Sequence, residues 1–132
     1  MDKKYFLAVI IIFVVYSLLG MVIHGMVLSD EYQATGLFRS EEEQTGFIIP
    51  MLLAHLIMAA AFVWLYRAGL EVKPWVGQGV RFGVIVALLA AVPLYMIYYA
   101  VQPMPEMLVF RQAAYETVNL IILGLVVAFM YR

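Results

Sequence analysis

Three ionisable side chains stand inside otherwise apolar runs of this sequence: His24, His55 and Glu116. An imidazole or carboxylate in hydrocarbon is costly, so such a group is by default a candidate functional residue. Two histidines and one carboxylate form the donor set of several zinc and non-haem iron centres, and two facing histidines could ligate haem. The metal candidates are therefore His24, His55 and Glu116, with a divalent metal or haem as the cofactor they could hold. No HExxH or ExxH motif fixes the spacing, because each residue belongs to a different apolar run. With no cysteine in the chain, iron–sulfur clusters, thiolate sites and CxxC redox pairs are excluded. No Ser/His/Asp arrangement, phosphate-cradling loop or pair of catalytic carboxylates is found. Gly77-Gln78-Gly79 lacks the rest of a nucleotide fingerprint, so no nucleotide is expected.

Each candidate shares a helical face with other polar or small residues. Tyr16, Gly20 and His24 stack at i, i+4, i+8. Met51, His55 and Met58 share a side, and Gln112, Glu116 and Asn119 form an i, i+4, i+7 stripe. Tyr95, Tyr98 and Gln102 have similar spacing. If these faces converge, they line a polar pocket whose ligand-binding residues are His24, His55, Glu116, Asn119, Gln112, Tyr95 and Tyr98. Each also has a purely structural counterpart. An intramembrane histidine often bridges helices by a hydrogen bond, Gln112 and Asn119 serve as interhelical glue, and Glu116 could pair with a histidine or Arg111. The nine methionines read as lipid-facing or core filler.

Composition indicates the helices that carry these residues. The 132 residues are 66% hydrophobic and 13% charged, against roughly 45–50% and 25% for soluble domains. A water-soluble monomer is excluded, and the net charge of -1 gives no case for nucleic-acid binding. Tyr5 to Leu28 carries no formal charge and, at about 1.5 Å per residue, reaches roughly 36 Å, enough to cross a membrane. The run exceeds the roughly 7–15 residues of a signal-peptide core and no A-x-A site follows, so it reads as a span. Further spans are expected at 47–66, 82–101 and 108–131. Pro50 suits a first helical turn, Pro93 a kink in the third span, and Pro103 and Pro105 a break before the fourth. Ser40 and Glu43 have the spacing of a capping box, which would start the second helix above the membrane.

The expected architecture is all-α, a single integral membrane domain of four transmembrane helices forming a bundle. Lys3, Lys4, Arg67, Lys73, Arg81 and Arg132 would lie on one side, and Arg39 and Arg111 on the other. That asymmetry puts both termini in the cytoplasm and the three ionisable candidates in the outer half of the membrane, roughly 6–12 Å deep. Gly79, Gly83, Ala87 and Ala91 recur every four residues as a helix-packing seam, facing either a neighbouring span, with Ala59, Ala60 and Ala61 as one partner, or a second subunit. Tyr5, Tyr32, Trp64, Tyr66, Trp75 and Tyr131 fall near span ends, as interfacial aromatics do.

In its second half the chain resembles small four-span bacterial membrane proteins of unknown function. The likeness lies in the entry to the third span (Gly77, Gly79, Gly83), a tyrosine- and proline-marked exit, and Ala114-Tyr115-Glu116-Thr117-Val118-Asn119 followed by Gly124. The resemblance implies four helices and a bacterial inner membrane, and no activity. The reading is a non-enzymatic, multi-pass inner-membrane protein with the lipid bilayer as its surroundings. It would bind a small ligand or cation in the polar pocket, or another membrane subunit, as a homo-oligomer or accessory subunit of a complex. Two alternatives stay open: a proton-coupled small-solute transporter using Glu116, and a haem- or metal-binding enzyme subunit using His24 and His55.

Overall fold

The computed structural model describes residues 2–132, and the described residues form helices and connecting turns without strands. Four helices are long and apolar enough to cross a membrane: α1 (Lys3–Val27), α4 (Ile48–Ala68), α5 (Trp75–Val101) and α6 (Glu106–Met130). Between the first two lie the short helices α2 (Ser29–Thr35) and α3 (Glu41–Thr45). The chain is a small polytopic membrane protein of all-α class. It divides into two compact units, one up to Leu65 and one from Tyr66 to Arg132.

In the first unit, Asp2 caps α1 by accepting from the Tyr5 N–H at 2.8 Å. The regular helix gives way at Ile23 to a π turn through Val27, closed by the Leu28 N–H donating to Ile23 O at 2.9 Å. Leu28 then turns the chain into α2. Gly36, at φ 69°, stops α2 in the left-handed region that favours glycine. The Ser40–Glu43 capping box is formed, with Ser40 Oγ accepting from the Glu43 N–H and the Glu43 carboxylate accepting from the Ser40 N–H at 2.9 Å. That backbone hydrogen bond holds the Glu43 carboxyl below its ordinary range. The box opens the one-turn helix α3 rather than the second long helix; α3 stops at Gly46, and α4 starts at Ile48 with Pro50 in its first turn. Tyr5 of α1 donates to Ala60 O of α4 at 3.0 Å, while Ser17 meets His55, so the two helices run in opposite senses.

In the second unit, α5 and α6 are antiparallel, and backbone touches backbone. A Cβ placed on Gly79 would come 2.7 Å from Gly124 O, and one on Gly83 2.5 Å from Leu120 O and Ile121 Cα. A Cβ on Gly124 would collide in turn with Gly79 O. Only glycine permits this approach. Trp75 packs edge-on against Phe129, with ring centroids 5.5 Å apart, and extends the register to the end of the helices. Gly79 and Gly83 thus pack on Gly124 and its neighbours on α6, and the glycine half of the seam has a partner within the same unit. Ala87 and Ala91 continue the buried face.

The kink expected at Pro93 takes the form of a π turn at Ala87–Ala91, immediately before it. Proline returns no N–H to the preceding turn and its ring crowds that turn's carbonyl, so widening the helix by one residue relieves the clash. At the start of α5, Gln78 is a buried amide that accepts from the Glu71 N–H at 2.9 Å and donates to Glu71 O at 3.2 Å, tying the loop to the helix. Lys73 pairs with the Glu71 carboxylate and holds its pKa below the ordinary value.

The glycine contact predicts a steep dependence on bulk. Gly83→Leu should destabilise by at least the roughly 1–3 kcal/mol of an overpacked core, whereas Ile85→Leu on the exposed face should change little. Thermal unfolding in detergent checks this; equal melting temperatures would contradict the close crossing.

Candidate functional site

The polar candidates sit in three places, two in the first unit and one in the second. His24 lies in the π turn of α1. A straight helix would carry a residue eight positions on about 12 Å away along its axis. The bend at Leu28 instead brings Tyr32 back, so that its hydroxyl lies 2.5 Å from His24 Nδ1 with the rings stacked, centroids 5.9 Å apart. Tyr32 is buried and packs on Phe38 at 4.6 Å. The expectation of Tyr32 as a plain interfacial aromatic missed this pairing, because only the turn creates it.

His55 faces α1. Ser17 Oγ lies 3.0 Å from His55 Nδ1, Tyr16 packs edge-on against the imidazole at 4.8 Å, and a Cβ on Gly20 would be 3.9 Å from its Cε1. Tyr16 and Gly20 were legible as a face; Ser17, one position off that stripe, was not. The two histidines thus have separate partners, Tyr32 for one and Ser17 with Tyr16 for the other. Met51 is exposed and Met58 half-buried.

The second unit holds the buried polar stripe. α6 turns one face inward through Leu108, Gln112, Glu116, Asn119, Leu123 and Val127. Glu116 is 5% exposed and Asn119 1%. Asn119 Nδ2 donates to Glu116 Oε1 at 3.4 Å, while Asn119 Oδ1 is buried with no hydrogen-bond partner among the described residues. Thr117 returns its hydroxyl to Ala113 O at 2.7 Å and stays local. Running the antiparallel register on from Gly79/Gly124 and Gly83/Leu120 brings Glu116 and Gln112 level with the π turn Ala87–Ala91, which packs on α6. Of that turn, Ala87 and Ala91 are the buried residues. Beyond Pro93, Tyr95 is half-buried and Tyr98 is 41% exposed.

The stripe gathers a carboxylate and two primary amides on one buried face of α6, and each amide brings an acceptor oxygen as well as its donors. Such a set attracts a cation. Among the described residues, no group of three or more His, Cys, Asp or Glu could hold a metal ion, and His24, His55 and Glu116 each have their own neighbours.

The His24–Tyr32 pair yields a direct test. Tyr32→Phe keeps the stacked ring and removes the hydroxyl, and should loosen α2 by about 0.5–1.5 kcal/mol. Faster hydrogen exchange at the α2 amides, with α4 unaffected, is the expected outcome.

A family model described as "Protein of unknown function (DUF1761)" matches residues 7–128. Comparison with curated proteins returned no match, and neither did comparison with solved structures.

Proposed function

Since the chain belongs to the DUF1761 family, whose description assigns no activity, we propose from its own chemistry that it is a non-enzymatic membrane protein binding a small monovalent cation. The site is the Glu116 stripe opposite the Pro93 turn. The observation that carries the reading is Asn119 Oδ1, an amide oxygen 1% exposed and without a hydrogen-bond donor, beside the buried Glu116 carboxylate. A buried acceptor left in that state calls for an ion, a water or a functional role. A single carboxylate supplemented by amide and backbone oxygens suits a singly charged cation better than a divalent one, which usually recruits more anionic ligands. π turns of this kind are often found at functional sites.

The test is thermal unfolding of the detergent-solubilised protein in chlorides of sodium, potassium, magnesium or ethylammonium, at constant ionic strength made up with N-methylglucamine. One monovalent cation should raise the melting temperature saturably by a few degrees, as binding at about tenfold above Kd would. Glu116→Gln should abolish the rise and Asn119→Leu weaken it; Ser17→Ala, in the other unit, should leave it intact. If no cation raises the transition, or Glu116→Gln retains the rise, the site is structural.

The proposal extends to placement: a bacterial cytoplasmic membrane with both termini inside. It is supported by the excess of Lys3, Lys4, Arg67, Lys73, Arg81 and Arg132 over Arg39 and Arg111. Alkaline phosphatase fused after Arg132 should be inactive and a cytoplasm-dependent fluorescent reporter active; the reverse result would place both ends outside.

A further inference from the structure

An open groove of about 520 Å³ lies where the loop after α4 enters α5, lined by Lys73, Pro74, Gly77, Gln78, Val80 and Arg81. Its charge is net positive. Lys73 is paired with Glu71, and Arg81 adds a second cation whose field also reaches the Glu71 carboxylate. Gly77 narrows nothing: a Cβ there would meet no atom within 4 Å, so the floor of the groove is open to an approaching group. Gln78 is fixed by its two hydrogen bonds to Glu71, which keeps that wall in place without a ligand.

The groove is also amphipathic. Val80 lines it and is exposed, Val76 is exposed one turn earlier on the same face of α5, and Val72 is fully exposed on the loop. The same end of the unit carries the girdle expected of a membrane–water boundary. Trp75 packs on Phe129, the Arg132 guanidinium sits 3.9 Å over the Phe129 ring, and that of Arg67 lies 5.9 Å over Tyr131. A soluble phosphate would use the cations alone. A molecule with an anionic head and a hydrocarbon body would use the cations, the valines and the position at the boundary together. We infer that this groove holds the phosphate of an anionic phospholipid, with Lys73 and Arg81 taking the charge and Val76 and Val80 flanking the first part of an acyl chain.

Trp75 supplies the probe. The chain has two tryptophans, so Trp64→Phe leaves Trp75 as the sole emitter beside the groove. The full-length variant is reconstituted into phosphatidylcholine vesicles containing either brominated phosphatidylglycerol or the same fraction of brominated phosphatidylcholine, and quenching is compared. Preference for the anionic lipid should be about fivefold, the factor that one net basic charge gives near a membrane surface. Lys73→Gln with Arg81→Gln should bring the ratio to about one while leaving quenching by brominated phosphatidylcholine unchanged, which reports intact insertion. Arg81→Lys, which conserves the charge, should keep the preference. A ratio near one in the parent protein, or one unmoved by the double substitution, overturns the site. A parent protein with a ratio near one that is nonetheless stabilised against thermal unfolding by 10 mM inorganic phosphate, relative to sodium chloride of equal ionic strength, assigns the groove to a soluble phosphate and overturns the lipid reading.

Discussion

The contact between the backbones of α5 and α6 at Gly79, Gly83 and Gly124 governs the second unit. In a hydrocarbon solvent, helices gain little from burying one apolar surface against another, so association depends on how closely the atoms approach. Removing three β-carbons lets the carbonyls of one helix rest on the other. The approach also sets the register residue by residue, because each glycine faces one particular turn of its partner. Fixing that register fixes the remaining levels of both helices: four residues on from Gly83 comes the π turn, and four residues before Leu120 comes Glu116. The polar stripe is placed by glycines that carry no chemistry.

Polarity at that depth is tolerable only through mutual arrangement. The proline at position 93 takes a donor from the preceding turn, and the sequence compensates by widening the helix there. Glu116 comes level with the start of that turn, and Asn119, nearly one turn further along α6 beside Gly83, donates to the Glu116 carboxylate. The first unit follows a different logic. Its two histidines each have a hydroxyl-bearing partner, Ser17 or Tyr32, so their polarity is largely answered within the fold.

How much of this could be read from the chain depends on the range of the interaction. Long apolar runs announce the four helices because hydropathy is additive over about twenty residues. The Ser40–Glu43 capping box was legible because it spans three positions, but its consequence was not: Gly46, immediately after it, ends the helix that the box begins. Gly79 and Gly83 were recognisable as small residues on one face, yet their fit against Gly124 depends on shape across the interface, which spacing along one helix does not encode. The His24–Tyr32 pair was invisible for a related reason. A helical repeat places those residues two turns apart, and only the combination of a π turn with the bend at Leu28 folds one ring onto the other.

Proline within an apolar run, taken by itself, predicts a bend and nothing else. The π turn that precedes Pro93 comes level with Glu116 and Gln112 in the antiparallel register set by the glycines. Were Glu116 shifted by two positions along α6, it would take the exposed place of Val118, and the stripe would no longer share one buried face. The coincidence of register, proline and stripe requires three independent features of the sequence to agree.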